Sequence, residues 1–240
     1  MTKGTTGTRI DEVGEGVFRI STPVSSIPGG FTFNQYLLVD DEPLLFHTGM
    51  RRLFPGMRAA VESVMPFERL RWVGFAHVES DECGAIGEVL AAAPNARPVC
   101  GRMQAMLAME DLTDRAPVVL GDGEIHVTGR RRLTWIDAPH VPHGWDNGML
   151  FETTTRTLFS GDLFTQPGDG LPPVTEGDVF GPSEALREKL PYFSRGPNTG
   201  QVIERLAATE PTLLACMHGS AWRGDGAALL RTLAATLARS

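Results

Sequence analysis

Cysteines are few in this sequence, and long apolar runs are absent. Its 240 residues include only Cys83, Cys100 and Cys216, and no CxxC pair occurs. This odd and sparse set argues against a disulfide framework and against a structural thiolate zinc site, and it fits a reducing cytoplasm. The N-terminal segment MTKGTTGTRIDE is polar, and no apolar stretch approaches the length that a bilayer requires. We therefore expect neither a secretory signal nor a membrane-spanning helix.

Runs of basic residues are also scarce. The chain has 22 lysines and arginines against 29 acidic residues, which gives a net charge of −7. A nucleic-acid backbone is therefore not an expected partner. The short cluster Arg130, Arg131 and Arg132 is interpreted as a solvated strand end. With 42% hydrophobic and 21% charged residues, the composition is typical of a globular protein that buries a sizeable core.

The order of the predicted elements indicates an α/β fold. Strands come first, helix–strand alternation follows, a second β-rich stretch fills the middle, and helices with one strand end the chain. This order predicts two mixed sheets packed face to face with helices outside. We see no repeat and no linker, so residues 1–240 are predicted to form a single domain. Strands are predicted at 16–22, 33–40, 43–49, 69–77, 97–101, 116–129, 131–140, 148–155, 156–164 and 212–219, and helices at 52–65, 82–94, 102–110, 183–193, 199–209 and 225–238.

Turn residues separate the predicted strands in the β-rich middle of the chain. The segments GDG at 121–123 and TTTR at 153–156 are predicted as hairpin turns. Residues 165–182 form a long Gly/Pro-rich stretch, which is typical of a loop bordering an active site. In the helix at 82–94, Ser80 or Asp81 is the expected N-cap.

Four of the six histidines lie where a predicted strand ends in a loop. His77 ends one strand, His140 and His143 follow another, and His218 ends the last. A lone histidine at such a position is more often a hydrogen-bonded residue than a functional one, but loops at strand ends are also where functional groups collect. Several such histidines accompanied by carboxylates favour a metal site.

Carboxylates accompany two of these histidine positions. In the segment HVESDE at 77–82, an extended backbone would turn His77, Glu79 and Asp81 to the same side. The alternative is that the acids only complement the dipole of the following helix. Asp162 follows a third strand among apolar neighbours, where a buried carboxylate needs a partner or a metal, unless it serves a turn. Imidazole and carboxylate ligands suit iron, manganese or zinc.

Several motifs together resemble one branch of a known superfamily. HVESDE resembles the HxExDH motif of the oxygen-binding diiron (flavodiiron-like) branch of the metallo-β-lactamase superfamily, whose hydrolases carry HxHxDH. PHVPHGWDNGM at 139–149, SGDLF at 160–164 and MHGSAWR at 217–223 are similar to later motifs of that branch and occur in the same order. The resemblance covers nearly the whole chain and implies a four-layer αββα sandwich.

The resemblance also implies roles for individual residues. Two metal ions are expected, with iron as the expected element and zinc or manganese as alternatives, and bridged pairs of this kind lie roughly 3.5–4 Å apart. Carried over by position, one ion would be held by His77, Glu79 and His143, the other by Asp81 and His218, and Asp162 would bridge them.

The sequence departs from the family at two positions beside these ligands. Glu82 stands where the family has histidine, and it is predicted either to bind the second ion or to point to solvent, which leaves the occupancy of that site open. His47 stands where the superfamily often has aspartate, and it is predicted to orient a ligand from behind. Cys83 is interpreted as a helix-packing residue. Trp145, Trp222, Phe164 and Met149 are predicted either to line an apolar pocket or to belong to the core.

Two functions are compatible with such a centre. The first is a diiron protein that reduces or senses dioxygen or nitric oxide, and Glu79 favours it because an added carboxylate stabilises higher iron oxidation states. The 240 residues contain no Gly-rich flavin loop, so this function requires a separate electron donor. The alternative is a hydrolase that attacks an ester or amide with a metal-bridging hydroxide. A homodimer remains open.

Overall fold

The computed structural model describes residues 7–194 and 196–239; residues 1–6, which begin the polar N-terminal segment, lie outside the described part. Among the described residues, two sheets of seven strands each form the centre of the fold. The first sheet follows the order of the chain. Its strands are β1 (Arg9–Gly14), β2 (Val17–Pro23), β3 (Thr32–Leu38), β4 (Leu44–Phe46), β5 (Trp72–Gly74), β6 (Arg97–Gly101) and β7 (Val118–Leu120).

The second sheet contains the later strands. They are β8 (Ile125–Thr128), β9 (Arg131–Asp137), β10 (Gly148–Glu152), β11 (Thr157–Gly161), β12 (Val174–Thr175), β13 (Leu213–Cys216) and β14 (Ala221–Arg223). Their spatial order is β12-β14-β13-β11-β10-β9-β8. Both sheets are mixed: β4, β5, β6 and β7 pair in parallel, as do β11 with β13 and β12 with β14, while the other pairs are antiparallel.

Helices cover the outer faces of the two sheets. They are α1 (Phe54–Glu62), α2 (Ser80–Cys83), α3 (Ile86–Ala92), α4 (Arg102–Leu107), α5 (Met109–Leu112), α6 (Phe180–Lys189), α7 (Thr199–Ala207) and α8 (Gly226–Leu237). Helices α1 and α3 pack on the first sheet, and α7 and α8 pack on the second. The result is the predicted α/β architecture of four layers, αββα.

The alternation of side chains along the strands explains the layers. In β3, Leu37 joins the core beneath α1 and α3, whereas Tyr36 and Leu38 join the core between the sheets. In β4, Leu45 and Phe46 divide in the same way. Because successive residues of a strand point to opposite faces, a strand buried on both sides is apolar throughout. The near-continuous apolar runs of this sequence are therefore the signature of central strands.

Several local predictions need correction. The segment at 121–123 is not a hairpin turn, because β7 and β8 on either side of it belong to different sheets. The helix predicted at 82–94 is divided into α2 and α3, and its N-cap is Glu79, which has no side-chain capping bond. Arg131 is not solvated: it is 9% exposed, and its guanidinium lies 3.3 Å from the carboxylate of Glu152. The turn at 153–156 does join the hairpin of β10 and β11.

No helix within residues 7–194 and 196–239 has the length and the apolar character that a membrane crossing requires.

Candidate metal centre

The predicted ligands converge at one edge of the sandwich, although they come from both sheets. His77 and Glu79 follow β5 of the first sheet, and His143, Asp162 and His218 follow β9, β11 and β13 of the second. Strands that run in parallel end at the same edge, so the loops after them meet there. Most residues of these strands are buried, which holds the loops that leave them in place.

The first group of side chains contains two imidazoles and two carboxylates. One ligand atom from each of His77, Glu79, His143 and Asp162 lies within 4.8 Å of the others. The Oε2 atom of Glu79 is 2.7 Å from Nε2 of His77 and 3.2 Å from Nε2 of His143. The Oδ2 atom of Asp162 lies 3.4 Å from Nε2 of His143 and 4.0 Å from Nε2 of His77. All four atoms thus face a common point.

A second group adjoins the first through Asp162. Its other oxygen, Oδ1, lies 3.1 Å from Nε2 of His218. Asp81 approaches the same Nε2 atom, with Oδ2 at 3.5 Å. Asp162 therefore presents one oxygen to each group, which is the arrangement a bridging carboxylate requires.

The extended backbone assumed for HVESDE is only half correct. Glu79 is extended, with φ −139° and ψ 152°, but Ser80 begins α2. Asp81 consequently lies in the first turn of that helix and faces His218 instead of joining His77 and Glu79. The turn into the helix is what separates the two groups.

The electrostatics of the cluster fit a bound cation. Burial raises the pKa of Asp81 to about 6. The nearby carboxylates act in the same direction, and His218 acts in the opposite one. The pKa of His77 is lowered by burial but raised far more by Glu82 and Glu79, and it reaches about 12. A carboxylate with a raised pKa and an imidazole that retains its proton both indicate an excess of negative charge in a buried space. Metal ions relieve such an excess, and this mixture of imidazole and carboxylate suits iron, manganese or zinc.

His218 is held from behind by β3. The Nδ1 atom of His218 lies 2.8 Å from the carbonyl oxygen of Thr32, so it donates there and leaves Nε2 facing the carboxylates. The ring of Phe31 stacks on the imidazole at 4.5 Å between centroids. Such outer contacts fix the orientation of a ligand. No local sequence pattern pairs residues 31–32 with residue 218, so this support was missed.

Glu82 and His47 lie behind His77. Glu82 is completely buried, so the prediction that it points to solvent is wrong. Its Oε1 atom is 3.2 Å from Nδ1 of His77 and 3.5 Å from Nε2 of the equally buried His47. Cys83 is buried beside them in the core under α3, as a helix-packing residue would be.

A small cavity opens over the centre. Its volume is about 160 Å³, and Glu79, Asp162 and His218 form its floor. None of the four residues considered for the lining contacts this cavity: Met149 and Phe164 belong to the core beneath α7 and α8, Trp222 packs against that core, and Trp145 is 56% exposed. Besides the predicted ligands, the described side chains around the cavity are Phe31, Thr165, Leu186, Leu190 and Tyr192.

Tyr192 is a lining residue that sequence reasoning missed. Its ring lies 6.1 Å from the ring of His143, in an edge-to-face arrangement. Burial raises the pKa of its hydroxyl to about 12, so the group keeps its proton at neutral pH. The loop after α6 brings it over the centre, and no strand-end pattern marks that loop.

Comparison with known proteins gives consistent matches. The chain is 24% identical over 221 residues to a nitric oxide reductase of Moorella thermoacetica, covering 88% of this chain and 55% of that protein. It is 25% identical over 213 residues to a rubredoxin-oxygen oxidoreductase of Megalodesulfovibrio gigas, covering 82% and 50%. The chain thus spans about half the length of these curated relatives.

Solved structures match the fold over nearly the whole chain. The flavodiiron protein of Giardia intestinalis superposes with a TM-score of 0.81 at 17% identity, over 96% of this chain and 59% of that one. Rubredoxin oxygen:oxidoreductase of Desulfovibrio gigas gives 0.80 at 22% identity, over 95% and 60%. The likeness confirms the predicted fold class.

A family model extends this likeness to the sequence. The family described as ODP family beta lactamase matches residues 31–176, a segment that contains β3 to β12 and most of the predicted ligands. Because this match covers more than half of the chain, the protein belongs to the ODP family of β-lactamase-fold proteins.

Proposed function

We propose that this protein holds two iron ions at the edge of its sandwich and reduces dioxygen or nitric oxide there. The observation that carries the proposal is the pairing of Glu79 with two imidazoles while Asp162 faces both groups. Zinc and manganese remain the alternatives for the metal. The proposed ligands are His77, Glu79 and His143 for one ion, Asp81 and His218 for the other, and Asp162 as the bridge.

The bound irons would supply the electrons for reduction, and the chain would bind and orient the reacting molecule. Phe31, Leu186 and Leu190 place apolar side chains around the cavity. Tyr192 holds the proton of its hydroxyl at the same cavity, where it can donate to an oxygen atom bound inside. Thr165 cannot do so equally well, because its hydroxyl already donates to the backbone carbonyl of Asp162.

The size of the cavity supports a small substrate. Drug-sized ligands occupy pockets of roughly 300–1,000 Å³, whereas this cavity is about 160 Å³. A diatomic gas fits easily in this volume. The alternative, a metal-dependent hydrolase, is disfavoured by Glu79, since most hydrolases of the fold carry histidine at that position.

The names of the relatives support the same reaction class. One is a nitric oxide reductase, and the other is a rubredoxin-oxygen oxidoreductase. We propose that a separate electron-donor protein reduces the irons of this chain. We also propose that residues 1–240 form one domain and that the protein works in the cytoplasm, where its buried free thiols Cys83, Cys100 and Cys216 would stay reduced.

The proposal is tested by gas consumption. Iron-loaded protein is reduced with dithionite, freed of excess reductant without air, and mixed with a measured amount of dioxygen or nitric oxide. Consumption of either gas in proportion to the iron present supports the function. Zinc-loaded protein is the control, since it offers the same site without electrons. Equal consumption by both forms, or none by the iron form, would exclude the proposed reaction.

A further inference from the structure

A buried glutamate contacts the backbone and side chain of a proposed ligand. The Oε2 atom of Glu82 accepts hydrogen bonds from the backbone N–H groups of Ala76, at 2.9 Å, and His77, at 2.7 Å. Its Oε1 atom is 3.2 Å from Nδ1 of His77. Both oxygens are therefore turned to His77 and the chain before it, and Glu82 is not among the side chains around the cavity.

His47 lies against the other side of the same carboxylate. Its Nε2 atom is 3.5 Å from Oε1 of Glu82, and the side chains of both residues are completely buried. The backbone of His47 adopts φ 66°, a left-handed conformation that is unusual for a residue other than glycine. Within the described residues, neither ring nitrogen has a hydrogen-bond partner. The nearest charged group to this imidazole is therefore Glu82.

A buried carboxylate is costly unless it is paired. Glu82 is paired with His77 and with two backbone amides, and the imidazole of His47 lies on its other side.

We propose that the Glu82 carboxylate of α2 orients His77 toward the first metal ion and does not bind the second. Glu82 is a positioning residue: it holds Nδ1 of His77 so that Nε2 faces the first ion. The second ion is left with Asp81, Asp162 and His218, and it binds less tightly than the first. This inference rests on the proposed metal centre.

The positioning role is tested with the variants Glu82→Gln and Glu82→His. The full-length protein is stripped of metal with a chelator and titrated with Co²⁺ against a chromophoric competitor, which gives the affinity of each site without any assay of activity. Glu152→Gln is the matched control, because Glu152 is an equally buried carboxylate that bonds Thr154, Thr155 and Arg131 instead.

We expect the wild-type protein to show one tight and one weaker Co²⁺ site. Glu82→Gln should weaken the tight site roughly 10- to 100-fold, the usual effect of losing an outer carboxylate, and leave the weaker site unchanged. Glu152→Gln should alter neither. Glu82→His should weaken the tight site as well.

Three results would overturn the inference. Loss of the weaker site alone in Glu82→Gln would make Glu82 a ligand. Should Glu82→His not fold, Glu82→Gln still decides the positioning role. Unchanged affinities in Glu82→Gln would refute the inference alone, while a wild-type protein that binds no Co²⁺ would refute the metal centre as well.

Discussion

The Oδ1 atom of Asp162 lies 3.1 Å from Nε2 of His218, and this contact joins the two groups of the candidate centre. The other oxygen of Asp162 faces His143 and His77. A single side chain after β11 thus reaches ligands that follow three other strands. We therefore propose Asp162 as the bridge between the two ions.

Replacing the bridge should abolish paired binding. In Asp162→Ala, both groups lose their shared oxygen ligand, so we expect one ion per chain or fewer instead of two. The metal content of protein passed through a desalting column, measured by mass spectrometry of the elements, checks this. Asp122→Ala is the control, since Asp122 is an exposed aspartate that pairs with Arg205 away from the centre. Two ions per chain in Asp162→Ala would show that the bridging assignment is wrong.

Tyr192 should affect turnover and leave metal binding unchanged. Tyr192→Phe keeps the ring beside His143 but removes the donor at the cavity, and the loss of one such donor lowers turnover on the order of 10²-fold. Gas consumption and metal content are measured on the same samples. Tyr36→Phe is the control, since that hydroxyl donates to the carbonyl of Cys216 at 2.8 Å outside the cavity. Full turnover in Tyr192→Phe would contradict the role, and a loss of metal would indicate a structural one.

Asp40 should make the stability of the fold depend on acid pH. It follows β3 and accepts hydrogen bonds from the N–H groups of Asp41, Arg130 and Arg131, at 2.8, 2.9 and 3.0 Å, which ties the first sheet to the start of β9. Burial alone would raise the pKa of Asp40, but these bonds outweigh it and lower the pKa below 3.8. A carboxyl group with a lowered pKa stabilises the fold above its unfolded value of about 3.9 and loses that effect as the pH falls through its folded value.

Asp40→Asn should therefore cost about 1–3 kcal/mol of unfolding free energy at pH 7. Below about pH 4 the difference between variant and wild type should begin to shrink, because the carboxyl of the unfolded chain takes up its proton first and the folded one follows at its lower pKa. Urea unfolding of metal-free protein across pH 3–7 measures this and avoids the titration of metal-bound groups. A difference that stays constant over that range would show that Asp40 acts through packing and not through its charge.

The sequence predicts the parts of this structure that depend on local pattern. Apolar runs such as the one around Leu37 mark the central strands, because both faces of those strands are buried. Histidines at strand ends, among them His77 and His218, mark the functional edge. The hairpin at 153–156 follows from its turn residues.

The remaining features depend on contacts that no local pattern encodes. Glu82 is adjacent to the proposed ligands in sequence, yet the first turn of α2 rotates it inward to His47, which only the packed sheet brings near. Tyr192 reaches the cavity through the path of a loop. The segment at 121–123 has the residues of a hairpin turn, but the chain passes there from one sheet to the other.

The most direct test of the central claim is the metal content and visible spectrum of protein purified from iron-supplemented cells, recorded after anaerobic reduction and again after exposure to air. We predict about two irons per chain, as expected of a bridged pair, and an absorption change that requires air. Zinc in place of iron, with a spectrum that air does not alter, would contradict a diiron centre that reacts with dioxygen.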